Sequence, residues 1–202
     1  MQLQKNEDRR RIAAVNAALR AVASDGAPRV IGFCGVAGAG KSFAAAHLYR
    51  VHGFARIRFA GPLKDMMRAL GLTEREIEGD GKERPSDLLG GRTPRHAMQT
   101  IGTDWGRDMI DPDLWSRAWG RAADKALAEG RRVVVDDVRF ANEATAIWAR
   151  GGQIIRLSRD GAGSASGGAH PSEHQEFPFD LRLVNPGEPA PFIHTLNALM
   201  GG

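Results

Sequence analysis

The stretch Gly32–Leu48 reads GFCGVAGAGKSFAAAHL, and within it Gly35-x-x-x-x-Gly40-Lys41-Ser42 has the spacing of a phosphate-binding P-loop. The apolar run RVIGFCG before the motif predicts a buried strand, and KSFAAAHLYRVHG predicts a helix that ends at Gly53. A loop between a strand and a helix is the context in which this motif binds nucleotide phosphates. We interpret the stretch as the nucleotide-binding element of an α/β protein.

Each part of the motif has a distinct expected role. Glycines let backbone N–H groups approach the phosphates, Lys41 would contact the β and γ phosphates, and the Ser42 hydroxyl would bind Mg²⁺. A nucleoside triphosphate and Mg²⁺ are therefore the predicted ligands of this loop. An ordinary glycine-rich turn is the alternative, and the full spacing disfavours it. The predicted nucleotide contacts are Gly35, Gly38, Ala39, Gly40, Lys41, Ser42 and Phe43.

Length and composition narrow the class of protein. The chain has 202 residues, enough for one compact domain. Its net charge of +4 suits small anionic substrates or nucleic acid, without separating the two. The single cysteine, Cys34, excludes an internal disulfide and is predicted to be a packing residue of a cytoplasmic protein. No apolar run approaches the roughly 18 residues of a transmembrane helix, and the N-terminus has no signal-peptide pattern.

Strand and helix patterns alternate along the chain, which predicts an α/β sandwich with a mostly parallel sheet. In the helix over 62–71 we expect Leu63, Met66, Met67 and Leu70 on one face, with the two methionines in the core. Segment 73–92 is predicted to be a mobile connection with one short helical piece. The predicted strands are 29–35, 55–60, 131–137, 153–159 and 179–185, and the predicted helices are 5–24, 41–53, 62–71, 94–110, 112–129, 142–152 and 189–200.

A second motif, VVVDDVRFANE, is an apolar strand that ends in two acids. P-loop enzymes hold a carboxylate near Mg²⁺ at such a strand end, and either Asp136 or Asp137 could serve. Arg139 lies just beyond, where ligands bind in open α/β sheets. A surface ion pair with Glu143 is the alternative for Arg139.

Several arginines and tryptophans are further candidates. Phosphoryl transfer needs fixed positive charge around the migrating group, and arginine supplies it with a planar fork. Most tryptophan area is predicted to be core, whereas one tryptophan could stack on a base. The arginines in question are Arg92, Arg95, Arg107 and Arg159, the core tryptophans are Trp115 and Trp119, and the base-stacking candidate is Trp105.

One motif points to different chemistry. His170-Pro171-Ser172-Glu173-His174 fits the H-x-x-E-H pattern of some zinc peptidases. In those enzymes the histidines share one face of a stable helix, but here the motif follows the Gly/Ser-rich tract 160–169 and contains a proline. We therefore interpret it as part of a loop that closes over phosphates.

The blocks GVAGAGKS, FAGPLKDM, MQTIGTDWGRDMIDPDLW, DVRFANE and HPSEH, spread over about residues 30–185, together resemble bacteriophage-type deoxynucleoside monophosphate kinases. The resemblance implies an adenylate-kinase-like fold with a five-stranded parallel sheet, and transfer of the ATP γ-phosphoryl group to a deoxynucleoside monophosphate. It also implies that Asp137, rather than Asp136, is the magnesium-side carboxylate. The implied regions are a core over 28–60 and 108–202, a monophosphate-binding insertion over 61–107 and a lid over 159–176. Residues 1–27 are predicted to be an N-terminal helical extension, which is longer than the family pattern needs and whose role is open.

The same resemblance assigns expected roles to individual side chains. Lys41, Arg107, Arg139 and Arg159 would act in catalysis, with Arg159 at the entry to the lid. The acceptor would be bound by Lys64, Arg92, Arg95, Gln99, Trp105 and Arg107.

The expected partner is a small-molecule monophosphate, with no nucleic acid and no membrane; a homodimer is compatible with the sequence. If a phage encodes the chain, the compartment is the host cytoplasm. Two alternatives stay open: another small-molecule P-loop kinase, such as dephospho-coenzyme A kinase, and a nucleic-acid-stimulated ATPase or switch. The chain has no base-recognition loop of the Asn-Lys-x-Asp type, which disfavours a switch.

Overall fold

A computed structural model describes residues 28–162 and 177–201. The predicted N-terminal helix over 5–24 and most of the predicted lid lie outside these ranges. The described chain divides into two compact units, which are taken one at a time below. Unit 1 comprises the described residues of Met1–Arg56 and Ala126–Gly202, and unit 2 is Ile57–Lys125.

The elements follow one another in the alternating order expected of an α/β chain. The strands are β1 (Val30–Cys34), β2 (Ala55–Arg56), β3 (Val133–Val135), β4 (Gln153–Ser158) and β5 (Leu181–Val184). The helices are α1 (Lys41–His52), α2 (Gly61–Ala69), α3 (Glu74–Ile77), α4 (Pro94–Gln99), α5 (Leu114–Ala128), α6 (Ala141–Trp148) and α7 (Pro189–Leu199). A π-helix covers Thr100–Ile110, and 3₁₀ turns cover Asp80–Glu83 and Asp87–Leu89.

Unit 1 is built on a five-stranded sheet in the order β2-β3-β1-β4-β5. Every neighbouring pair is parallel, which confirms the predicted five-stranded parallel sheet. The central strand β1 is buried along its whole length, and a strand covered on both faces has to be apolar throughout. Because all strands run the same way, the residues after β1 and β3 meet at one edge of the sheet.

Helices cover both faces of this sheet. On one face, Ile31 and Phe33 of β1 belong to a buried core with Leu48 of α1 and Leu196 of α7. On the other face, Ile147 of α6 packs so closely that a Cβ added at Gly32 would lie 2.6 Å from its Cδ1 atom.

Cys34 at the end of β1 is buried, as the packing role predicted for it requires. Burial raises the pKa of the Cys34 thiol, against the opposing effect of the nearby Arg156 guanidinium. A raised pKa disfavours the reactive thiolate.

The second strand is shorter than predicted. The sequence predicts a strand over 55–60, but β2 contains only Ala55 and Arg56. These two residues pair with Val133 and Val134, and β3 ends one residue later. The partner strand is therefore too short to extend the ladder, and the chain turns instead, with the Gly61 N–H donating to the Arg58 carbonyl at 3.1 Å.

Unit 2 has a small core of its own, in which Met67 of α2 packs with Leu72 and Ile77. Leu63 and Met67 are buried, four residues apart on one face of α2. Met66 is 37% exposed and Leu70 is 56% exposed. The prediction that all four apolar residues share the buried face, with both methionines in the core, is therefore wrong for Met66 and Leu70, which lie off the 63–67 stripe.

Segment 73–92 has more regular structure than the single helical piece that the sequence predicts. It contains α3 and the two 3₁₀ turns. A capping box starts α3: the Glu76 carboxylate accepts from the Thr73 backbone N–H at 2.8 Å, and the Glu76 N–H donates to the Thr73 hydroxyl. The other Glu76 oxygen accepts from the Ser86 hydroxyl at 2.9 Å, which links α3 to the chain ten residues on.

The predicted helix over 94–110 starts as an α-helix and continues as a π-helix. Its start follows the prediction, because the Thr93 hydroxyl accepts from the His96 N–H. The π-helical part presents two glycines to one tryptophan. Trp115 donates its indole N–H to the Gly102 carbonyl at 2.7 Å, and a Cβ added at Gly106 would lie 2.6 Å from the Trp115 ring. The absence of a side chain at Gly106 is thus what makes room for the indole, which then donates to the Gly102 backbone.

Candidate nucleotide-binding and acceptor sites

The glycine loop of unit 1 joins β1 to α1 and depends on glycine for its path. Gly35, Gly38 and Gly40 have φ angles of 124°, 79° and 101°, a region that residues with a Cβ rarely adopt. A Cβ added at Gly35 would lie 2.2 Å from the Leu157 carbonyl oxygen of β4. The loop therefore passes against the sheet as a close turn that leads into a helix N-terminus, which favours phosphate binding.

Asn185, just after β5, supports this loop from the side. Its carboxamide donates to the Ala39 carbonyl at 3.1 Å and accepts from the Gly187 N–H at 2.9 Å. Asn185 is buried, and a Cβ added at Gly40 would lie 2.4 Å from its side-chain nitrogen. Sequence reasoning missed Asn185. An asparagine at the end of a predicted strand is the only signal the sequence offers, and it is a weak one.

Lys41 and Phe43 lie in the first turn of α1. The Lys41 ammonium donates to the carbonyls of Gly35 at 2.6 Å and Val36 at 2.8 Å, so it lies against the loop itself. Phe43 is 42% exposed and stacks on Phe192 of α7, with ring centroids 5.8 Å apart. Both predicted contacts are therefore next to the glycine loop.

Ser42 is joined to the second predicted motif through Asp136. The Ser42 hydroxyl donates to Asp136 Oδ2 at 2.8 Å. Arg56 at the end of β2 donates to both oxygens of the same carboxylate, from Nε to Oδ1 at 3.1 Å and from Nη2 to Oδ2. Asp136 is buried, whereas Asp137 is half-buried. The carboxylate that meets Ser42 is thus Asp136, although the resemblance favours Asp137.

This arrangement fits a magnesium ion. A serine hydroxyl and a carboxylate are oxygen ligands of the kind that Mg²⁺ prefers, and they are within hydrogen-bond distance of each other beside the glycine loop. Arg56 holds the Asp136 carboxylate in place through hydrogen bonds to both of its oxygens. Sequence reasoning missed Arg56; the signal that could have found it is a basic residue at the end of the strand next to β3.

The predicted catalytic arginines of unit 1 are exposed at the carboxyl edge of the sheet. The Arg139 backbone N–H donates to Glu143 at 2.7 Å, and the Phe140 N–H donates to the same oxygen at 3.2 Å. Buried Glu143 therefore holds the backbone at the start of α6. Arg159 follows β4 directly, and a Cβ added at Gly187 would lie 3.8 Å from its guanidinium.

The predicted acceptor-binding side chains of unit 2 have different surroundings. Lys64 donates to Glu78 at 2.7 Å, and Arg95 forms an ion pair with Glu83. Arg92 is exposed and Gln99 is half-buried at the end of α4. No hydrogen bond or ion pair of the structure joins Lys64, Arg92, Arg95 and Gln99 to one another.

Trp105 and Arg107 lie on the π-helix. Trp105 is 39% exposed, and its ring centroid is 6.4 Å from that of Trp115, which is 6% exposed. Trp119 is also buried, so the two predicted core tryptophans are in the core. Arg107 donates to the Pro112 carbonyl at 3.1 Å, which ties the end of the π-helix to the start of α5.

The His170–His174 motif and the 163–176 part of the predicted lid lie outside the described residues. Among residues 28–162 and 177–201, no group of three or more His, Cys, Asp or Glu side chains is arranged to hold a metal ion. In the same ranges, no helix has both the length and the apolarity needed to cross a membrane.

A parallel sheet with a Gly35–Ser42 loop at its carboxyl edge, and an acid from the adjacent strand on Ser42, defines a P-loop nucleotide-binding protein. Comparison with known proteins narrows this class. The chain is 38% identical over 173 residues to a protein of Acanthamoeba polyphaga mimivirus named "Putative deoxynucleotide monophosphate kinase", covering 77% of this chain and 88% of the viral protein. The chain therefore belongs to the deoxynucleotide monophosphate kinase family and is a P-loop kinase.

Two further comparisons complete this picture. No protein-family model matches the chain. Among solved structures, the APS kinase CysC Cys556Ala mutant of Mycobacterium tuberculosis matches with a TM-score of 0.46 and 15% identity, covering 88% of this chain and 99% of that one. The mimivirus relative is viral but does not come from a bacteriophage, so a phage origin stays a prediction.

Proposed function

We propose that this protein transfers the γ-phosphoryl group of ATP to a deoxynucleoside monophosphate, giving the diphosphate and ADP. The observation that carries the proposal is the Ser42–Asp136 hydrogen bond beside the glycine loop, in a chain of the deoxynucleotide monophosphate kinase family. A hydroxyl and a carboxylate next to a phosphate-binding turn suit a magnesium nucleotide. The choice of a deoxynucleoside monophosphate as the acceptor follows from the name of the family.

In this proposal the loop residues 35–42 hold the ATP phosphates through backbone N–H groups, and Lys41 moves its ammonium from the loop carbonyls to the phosphate chain. Ser42 and Asp136 would hold Mg²⁺, and the ion would supply positive charge against the ATP phosphates. Phe43 lines the nucleotide side of α1.

Further predicted side chains are assigned to the acceptor and to the transferring group. Lys64, Arg92, Arg95 and Gln99 would bind the acceptor, with Trp105 stacking on its base. Arg107, Arg139 and Arg159 would meet charge that develops on the transferring group. Arginine suits this role because its fork is rigid and always charged.

The test is a coupled assay of ADP formation over a panel of deoxy and ribo monophosphates, with and without DNA, and with dephospho-coenzyme A as a separate acceptor. The expected result is ADP formed in step with a nucleoside diphosphate, abolished by EDTA and restored by Mg²⁺. ADP formation that requires DNA and yields no diphosphate would overturn the proposal in favour of an ATPase. Transfer only to dephospho-coenzyme A would overturn the choice of acceptor.

Replacing Arg159 with Ala tests the assigned catalytic charge. Transfer should fall strongly while ATP binding, measured directly, stays near normal, because the charge matters most in the transition state. Normal transfer by this variant would remove Arg159 from the catalytic set.

A further inference from the structure

Unit 2 contains two cations that donate to a single carboxylate, and a third cation close to them. Arg58 Nη1 and Lys64 Nζ both donate to Glu78 Oε1, at 2.9 Å and 2.7 Å. The Arg58 and Lys64 side chains are only 25% and 16% exposed, so neither is an ordinary solvated surface cation. Lys82, in the 3₁₀ turn at Asp80–Glu83, is half-buried, and it lies close enough to Lys64, Glu78 and Arg58 to feel their charges. We call Arg58, Lys64 and Lys82 the cation cluster.

Lys82 is the unusual member of the cation cluster. Within the part of the chain that the structure describes, its ammonium has no ion-pair partner. Burial lowers the pKa of Lys82, and the positive charges of Lys64, Arg95 and Arg58 lower it further, against the opposing effect of Glu78. A half-buried ammonium among like charges is unfavourable in the free protein and would be relieved by a bound anion.

Neighbouring cations of unit 2 are neutralised differently. Arg68 pairs with both Asp65 and Glu74, and Arg95 pairs with Glu83. Each of these arginines has at least one carboxylate of its own, whereas the Lys82 ammonium has none among the described residues. A phosphate monoester carries a charge of nearly −2 at neutral pH, so it would supply the negative charge that the Lys82 ammonium lacks.

We propose that Arg58, Lys64 and Lys82 form the binding site for the phosphate monoester dianion of the acceptor, with Glu78 holding Arg58 and Lys64 in place. The identification of the monoester as the acceptor rests on the proposed function, whereas the anion site itself rests on the geometry of unit 2. Lys64 is a candidate from the sequence; Arg58, Lys82 and Glu78 are new. The forked guanidinium supplies directed hydrogen bonds, and the two ammonium groups supply charge.

The first experiment measures binding of a deoxynucleoside monophosphate by calorimetry, without ATP, so that catalysis does not enter. Lys82→Met should weaken binding about tenfold or more, as loss of one charge-assisted hydrogen bond does. Lys125→Met is the matched control, because Lys125 is an exposed lysine of the same unit and its loss changes the net charge equally. The control should bind within about twofold of the unmodified protein.

A folding defect would not imitate this result. Because Lys82 faces like charges, Lys82→Met should melt at the same temperature as the unmodified protein or higher. A variant that melts higher and yet binds the monophosphate less tightly separates a ligand-binding role from a structural one.

The second experiment maps amine labelling by mass spectrometry near pH 8. Lys82 should be labelled faster than Lys125, because its lowered pKa leaves more of the unprotonated amine, and saturating monophosphate should protect Lys82 but not Lys125.

If the protein transfers phosphate while Lys82→Met binds normally and Lys82 is unprotected, the anion site is wrong and the proposed function stands. If no monophosphate is a substrate, the proposed function fails, and labelling with inorganic phosphate decides the site: protection supports it and no protection overturns it.

Discussion

Replacing Asp136 with Asn tests which of two adjacent acids serves the metal. The substitution keeps the shape of the side chain and removes its charge. Asp136 accepts from the Ser42 hydroxyl and from both Nε and Nη2 of Arg56, and its own side chain is only 3% exposed. An amide in this place keeps one acceptor oxygen, but its NH₂ group would face a donor, and it has no charge to pair with the guanidinium or to bind Mg²⁺.

Two magnitudes follow from this geometry. Removing one partner of a buried ion pair costs about 3–5 kcal/mol, but Arg56 is 23% exposed and water compensates part of its charge, so we expect a loss of about 2–3 kcal/mol in the free energy of unfolding. In catalysis, losing a preorganised charge beside the transferring group should lower kcat by about a hundredfold or more. The Mg²⁺ concentration at half-maximal rate should also rise.

The assay is ADP formation across a Mg²⁺ titration, with urea unfolding of the same samples followed by circular dichroism. Asp137→Asn is the matched control: it makes the same chemical change at the neighbouring, half-buried position, and both of its effects should be smaller. If Asp137→Asn raises the Mg²⁺ requirement more than Asp136→Asn does, the reasoning is refuted and the metal-side carboxylate is Asp137.

Three further substitutions have defined outcomes. Lys41→Ala should lower kcat by about a hundredfold or more, and near-normal turnover would remove the P-loop lysine from the mechanism. Asn185→Ala leaves a loop carbonyl and a backbone N–H without their partners, so calorimetry should find ATP binding weakened by about tenfold; unchanged affinity would show that the glycine loop needs no side support. Gly106→Ala places a Cβ 2.6 Å from the Trp115 ring and should cost about 1–3 kcal/mol of stability in thermal unfolding. Its control is Gly61→Ala, where an added Cβ meets nothing within 4 Å, and equal melting temperatures for the two variants would contradict the packing argument.

The architecture of unit 1 and the position of its nucleotide loop can be predicted from local patterns in the sequence. Buried strands in a parallel sheet are apolar throughout, and the helices between them have their own periodicity, so both signals are local and readable. The glycine spacing over Gly35–Ser42 is local as well, because one short turn must satisfy the backbone geometry of the phosphate-binding loop. Local signals did not predict the length of β2, because that length depends on the pairing strand. β2 is short because its partner β3 is short.

Which side chains contact one another depends on how segments distant in sequence pack together. Asp136 and Asp137 follow the same strand, and successive residues of an extended chain point to opposite sides, so the sequence cannot say which side carries Ser42 until the neighbouring strands are aligned. Asn185 and Ala39 are 146 residues apart in the chain, and their hydrogen bond exists because strands distant in sequence end at the same edge of the sheet. The cation cluster near Glu78 likewise depends on packing within unit 2. Arg58, Lys64 and Lys82 lie on separate segments of the chain, and only the packing of these segments brings them together.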